Sequence, residues 1–286
     1  MTGLTGAPRA EPFFLESAAG QRFCLFHPPA SPCRGALIYV HPFAEEMNRS
    51  RRMAALQARQ LAALGYGVLL LDLAGCGDSE GDFNDARWAL WKNDLALGAA
   101  WLNQRLGQPL TLWGLRLGAL LAADYARTAT HSVHALLLWQ PVQNGAAFLN
   151  QFLRLRVAGA MLDDGQHLGQ ARTSTTTLRQ ALLAGESIEI AGYDLAPELA
   201  AALDTLDPLE AMTPPCPVHW FEAVSAADAV LPASAARVGV AWQARGVEVR
   251  QQAVHCSPFW ATAEIVESPA WLGATSAALR EAGVGV

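Results

Sequence analysis

Leu110-Thr111-Leu112-Trp113-Gly114-Leu115-Arg116-Leu117-Gly118 is the stretch that decides the fold. Leu110 to Trp113 reads as a short buried strand, and Leu117 to Arg127, rich in Ala and Leu, reads as a helix. A strand, a glycine-flanked tight turn and a helix form the setting in which a G-x-S-x-G nucleophile elbow lifts its central side chain above a sheet. The central residue here is Arg116. A guanidinium keeps its proton in proteins and cannot attack a carbonyl. The pattern therefore predicts the scaffold of a serine hydrolase with an arginine at the nucleophile-elbow position.

The same rhythm runs through the rest of the chain. Phe13 to Glu16 and Phe23 to His27, separated by Ala18-Ala19-Gly20, fit an N-terminal hairpin. Ala36 to Val40 and Val68 to Leu73 are continuous apolar runs of the buried parallel type. Met47 to Leu64 and Trp88 to Leu106 have helical periodicity and end at Gly65 and Gly107. His134 to Trp139 is a further strand, stopped by Pro141. From Gln143 to Leu206 the alternation lapses into helical stretches, a Thr-rich patch at Thr173 to Thr177 and one short strand-like segment, Ile188-Glu189-Ile190. Pro214-Pro215-Cys216-Pro217 marks a return to alternation. Val218 to Phe221 then reads as a strand, Ala233 to Arg245 as a helix, Val247 to Val254 as a strand and Glu264 to Ala282 as a closing helix. These elements predict an α/β-hydrolase fold: a mostly parallel eight-stranded sheet with helices on both faces. Residues 1–141 and 213–286 form the expected core, and 142–212 a helical cap insertion.

Composition narrows the function. With 52% hydrophobic and 16% charged residues the chain can fill a large core, and a net charge of −6 argues against a broad attraction for nucleic acid. No apolar run reaches the roughly 18 residues that span a membrane, and Met1 to Ala10 lacks the charged-then-apolar order of a signal peptide. The five cysteines, Cys24, Cys33, Cys76, Cys216 and Cys256, show no paired spacing, which favours a reduced, cytoplasmic setting. Neither a C-x-x-C nor an H-x-x-x-H pattern supplies a zinc site, so no metal and no cofactor is expected. The expected partner is a small molecule, anionic in one reading; a homodimer is left open.

Chain order assigns the remaining chemistry. Elbow, acid and histidine follow one another in that order in α/β-hydrolases. Asp228 lies in the loop after the Val218 strand, and His255 follows the last strand, 27 residues on. A carboxylate holding an imidazole is the base half of a triad, so the two are expected to be hydrogen-bonded. His41-Pro42-Phe43-Ala44-Glu45-Glu46 follows the first core strand, where a hydrolase supplies one oxyanion N–H. Pro42 has no N–H to give, which leaves Phe43 or Ala44, with Leu117 from the elbow. Glu45 or Glu46 is the expected partner of Arg116; both also suit a helix N-terminus. His41 reads either as a cleft residue or as a buried histidine bonded to backbone. Asp72-Leu73-Ala74-Gly75-Cys76-Gly77-Asp78-Ser79 is a glycine turn bordering the cleft, and its turn chemistry already accounts for Cys76 and Ser79.

From His41 to Ser79 and through the elbow the chain resembles the α/β-hydrolase superfamily, serine-aminopeptidase-like branch. His41 to Asn48, Ser50-Arg51-Arg52-Met53 and Trp113 to Gly118 are more narrowly similar to the exosortase A system-associated hydrolases of the second type. That resemblance implies a cytoplasmic protein beside an exopolysaccharide system and a nominal hydrolase activity on an ester, thioester or related bond. Three readings follow. Arg116 binds an anion or oxyanion while Asp228 and His255 activate water; or the protein is a non-catalytic pseudo-hydrolase binding an anionic small molecule or partner; or Arg116 is a structural remnant neutralised by Glu45 or Glu46.

Overall fold

The computed structural model describes residues 9–30, 32–163 and 174–282. Residues 164–173 of the expected cap, Thr173 included, lie outside the described residues, as do 1–8 and 283–286.

Period-two and continuous apolar runs build one eight-stranded sheet in the order β1-β2-β4-β3-β5-β6-β9-β10. β1 (Glu11–Ser17) and β2 (Gly20–His27) form the N-terminal hairpin, and β2 pairs antiparallel with β4 (Tyr66–Leu71). The other pairings, through β3 (Gly35–Val40), β5 (Leu110–Leu115), β6 (Val133–Trp139), β9 (Val218–Val224) and β10 (Val249–His255), are parallel. Side chains alternate across the sheet and feed two cores. Leu37 and Tyr39 face α1 (Glu45–Ala63) and α8 (Pro269–Ala282). Ile38 and Val40 face α2 (Trp88–Leu106), α3 (Leu117–Thr128) and α7 (Ala233–Ala244). Parallel strands need both faces covered, which is why β3 and β5 are buried along their whole length.

β3 and β5 are neighbours, yet β3 is followed by a crossover to β4 on one side and β5 by a crossover to β6 on the other. Their carboxyl ends therefore open a crevice at a topological switch point, the usual place for a site in an open α/β sheet.

Between β6 and β9 lie α4 (Gly145–Asp163), α5 (Thr175–Leu183), the hairpin β7 (Ile188–Ile190) and β8 (Tyr193–Leu195), and α6 (Pro197–Thr205). The Ile188 segment is thus a strand, and its turn places Ala191 at φ 53° and Gly192 at φ 85°. The closing helix starts at Pro269, five residues later than the periodicity suggests. Ser268 caps it by accepting the Trp271 N–H at 3.3 Å, and Pro269 takes the first helical position. No helix among the described residues is long and apolar enough to cross a membrane.

Candidate functional site at the ends of strands β3 and β5

Two strand-to-helix turns face the crevice, and each holds a non-glycine residue in strained backbone. Ala44, between β3 and α1, has φ 50° and ψ −130°; Arg116, between β5 and α3, has φ 56° and ψ −118°. Such geometry costs about 1–3 kcal/mol per residue and persists where the surroundings over-determine it. At Arg116 they do. Its N–H donates to the Trp139 carbonyl at 2.9 Å, and its carbonyl accepts from Ala119 and Val142, each at 3.1 Å.

The Arg116 side chain reaches the loops bordering the crevice and is 17% exposed. Its Nε donates to Glu46 Oε1 at 3.2 Å, and its guanidinium lies 5.7 Å from the centroid of the Trp260 ring. The two Nη groups make no hydrogen bond among the described residues and are not buried. Glu46, not Glu45, is therefore the partner. Its second oxygen, Oε2, is buried without a hydrogen bond, and burial pushes the carboxyl above its usual range while Arg116 and Arg49 pull it back. Glu45 instead joins the rim: Tyr193 of β8 donates to it at 3.1 Å and Asn48 at 3.0 Å.

The expected oxyanion donors surround a cavity of about 10 Å³ lined by His41, Phe43, Ala44, Cys76 and Leu117, among others, about the room of one water. The Phe43, Ala44 and Leu117 N–H groups find no acceptor among the described residues. The cavity is small because Phe43 packs edge-on against Phe148 and Phe152 of α4, at 5.5 and 5.0 Å, and against Phe83 at 5.1 Å. His41 is bonded to backbone on both ring nitrogens. Nδ1 contacts the Pro42 carbonyl at 2.8 Å, and Nε2 accepts the Leu73 N–H at 3.2 Å. That pattern requires the neutral ring, and burial lowers its proton affinity in the same sense. Ser79 Oγ ties the Asp72 carbonyl to the Phe23 N–H, at 2.5 and 2.9 Å, and the Cys76 thiol is pushed up by burial. Both are parts of the turn's scaffold.

The expected hydrogen bond between Asp228 and His255 does not form. Asp228 lies exposed in a turn closed by the Ala229 N–H to the Ala226 carbonyl, and His255 is exposed at the end of β10. Neither side chain has a hydrogen bond or ion pair among the described residues. Chain order puts both at the correct sheet edge, but nothing packs the Asp228 loop onto the imidazole.

Sequence reading misses Glu222. This carboxylate on β9 is 2% exposed and accepts from Trp220 Nε1 at 2.7 Å, with the side chain of Gln140 close by. Burial raises its proton affinity, and Arg116 acts against that from nearby. Gln140, at φ 43° just past β6, sits between them: its N–H donates to Phe221 and its Oε1 accepts from Ala223 at 2.6 Å. The one available signal was a carboxylate inside the apolar run Val218-His219-Trp220-Phe221-Glu222-Ala223-Val224. Among the described residues no cluster of three or more His, Cys, Asp or Glu could hold a metal ion.

Comparison with known proteins places this geometry. The family model for serine aminopeptidase, S33, matches residues 31–186. Among solved structures, the chain is similar to Est1E of Butyrivibrio proteoclasticus with ferulic acid bound (TM-score 0.69, 14% identity, 94% of this chain and 98% of that one). It is also similar to a soluble variant of the Saccharomyces cerevisiae monoglyceride lipase bound to a substrate analogue (TM-score 0.63, 12% identity, 99% and 97%). Both likenesses concern the fold. A lysophosphatidylserine lipase, ABHD12, of Danio rerio is 32% identical over 92 residues, which span 32% of this chain and 23% of the lipase.

Proposed function

The chain belongs to the serine aminopeptidase S33 family of α/β-hydrolases, and from that premise we propose that it is a non-catalytic member in which Arg116, standing in the nucleophile's place, binds a small anionic molecule. The guanidinium carries this reading. Of its five N–H donors only Nε–H is engaged among the described residues, so Glu46 and Trp260 fix its plane while the paired Nη edge stays open. A fixed planar fork with a free edge suits bidentate recognition of an oxyanion. The remnant reading accounts for the Glu46 pair but leaves the open edge unexplained. The water-activating reading needs an oriented imidazole, and His255 has no partner among the described residues. We further assign the protein, on the motifs at His41–Met53 and Trp113–Gly118, to a cytoplasmic role beside an exosortase and exopolysaccharide system, with residues 142–212 as its cap.

A turnover screen over esters, thioesters and phosphoesters tests this, with His255→Ala as control. No turnover above the control is expected. Turnover that His255→Ala abolishes would restore the hydrolase reading. Arg116→Ser is expected to remain inert as well. A hydroxyl at the elbow completes a triad only if acid and base are already joined, and Asp228 and His255 are apart. An acylation burst in Arg116→Ser, absent from its double mutant with His255→Ala, would show that the pair assembles on demand.

A further inference from the structure

We propose that the Arg116 site takes a small monoanionic oxyacid and that one proton enters with it onto Glu46. The inference rests on the reading of Arg116 as an anion handle and adds the charge of what it holds.

Charge comes first. Around the elbow two guanidiniums, Arg116 and Arg49, face three carboxylates, Glu45, Glu46 and Glu222. With every group ionised the empty cluster already has an excess of negative charge, so an entering anion meets repulsion, and a dianion meets twice as much. A proton relieves it, and the geometry offers a place. Glu46 Oε2 is buried and without a donor, while Oε1 is already held by Arg116. A buried carboxylate oxygen with no donor is the atom whose negative charge is costliest and whose protonation costs least.

The remaining groups act in the same direction. Facing Glu46 are Arg116 from the elbow, Arg49 one turn along α1 and Tyr39 of β3, which stays a neutral phenol. The two arginines are what hold the Glu46 proton off against burial. An anion on the Nη edge shares the Arg116 charge, weakens that hold, and raises the proton affinity of Glu46. Glu222, 2% exposed, has only the neutral Trp220 donor as a hydrogen-bond partner among the described residues, so it cannot offset a second negative charge.

Calorimetric titration of the full chain with sodium acetate and sodium sulfate tests this. Measurements run at one pH below and one above neutrality, in two buffers of different ionisation enthalpy. Expected is acetate binding with uptake of up to one proton, its affinity falling by up to about tenfold per pH unit on the alkaline side. Sulfate should bind at least tenfold more weakly. Glu46→Gln should keep acetate binding and lose the pH dependence; the two-buffer comparison on the unaltered chain gives the proton count even if that variant folds poorly. Acetate binding without proton uptake, or sulfate binding as tight as acetate, overturns the inference and leaves the anion reading standing. Absence of binding of both anions at both pH values overturns both. Binding that survives Arg116→Ala overturns both as well, because the anion then sits elsewhere.

Discussion

Asp94→Ala is expected to cost about 3–5 kcal/mol of folding stability, the cost of breaking a buried ion pair from one side. Asp94 of α2 and Arg22 of β2 are 1% and 0% exposed at the side chain and meet at 2.7 Å. Removing the carboxylate leaves the guanidinium buried with only the Ala19 and Gln21 carbonyls, at 3.1 and 3.2 Å. Its Nη2 already lacks a hydrogen bond. The second carboxylate oxygen accepts the Ala74 N–H at 2.8 Å, so that donor is orphaned too. The effect reaches the site, because the adjacent Leu73 N–H is what holds His41 Nε2 under the expected oxyanion loop. Urea unfolding measures the loss. Replacing both partners by apolar residues, Arg22→Met with Asp94→Leu, should recover most of it, since a buried pair adds little over well-packed hydrocarbon. A loss below about 1 kcal/mol in Asp94→Ala would mean that the charge escapes to solvent.

The contrast between Arg22 and Asp228 shows what was legible. Strand and helix periodicity, read residue by residue, places all eight strands of the sheet, because burial on both faces leaves continuous apolar runs in the central parallel strands, and the edge strands remain as short runs flanked by turns. It also places Arg116 at the turn with Glu45 or Glu46 beside it, since these follow from where strands end; the choice of Glu46 comes from the structure. Pairing between side chains is a different matter. Asp228 and His255 sit at the correct strand ends, yet their meeting depends on the path of an exposed loop that no core residue fixes. Asp94 looks like an ordinary polar position on a helix, and only packing reveals that it is buried. The late start of α8 was legible and missed: Ser268 followed by Pro269 is an N-cap and first-turn signature. The loop before it is irregular because Phe259 and Trp260 turn inward to pack on Trp271.

Gly118→Ala is expected to be at least as damaging as many core truncations, near or beyond about 3 kcal/mol, at the upper end of overpacking. A β-carbon at 118 would lie 2.2 Å from the Val40 carbonyl oxygen and 2.4 Å from that of His41. Both are backbone atoms at the end of β3, so no side-chain rotation relieves the clash. At Gly114 the same carbon would lie 2.4 Å from the Ala119 Cα. These distances explain why the elbow keeps its glycines while its centre is an arginine. β5 lies beside β3, so the first turn of α3 must pass over the end of β3 wherever the chain turns from strand to helix. That requirement is steric and holds whatever side chain sits at 116. The consequence for function is direct. Moving the end of β3 displaces Phe43 and Glu46 relative to Arg116, so acetate binding should be lost even in the folded fraction of Gly118→Ala. Gly159→Ala is the control: it lies in α4 with no atom beyond its chain neighbours and its own helix backbone within 4 Å of the added carbon among the described residues, and alanine there should be neutral or stabilise by up to about 1 kcal/mol. Unfolding curves for Gly118→Ala and Gly159→Ala that coincide would show that the elbow yields to the methyl group, and the glycine pattern would then need a cause other than the approach of α3 to β3.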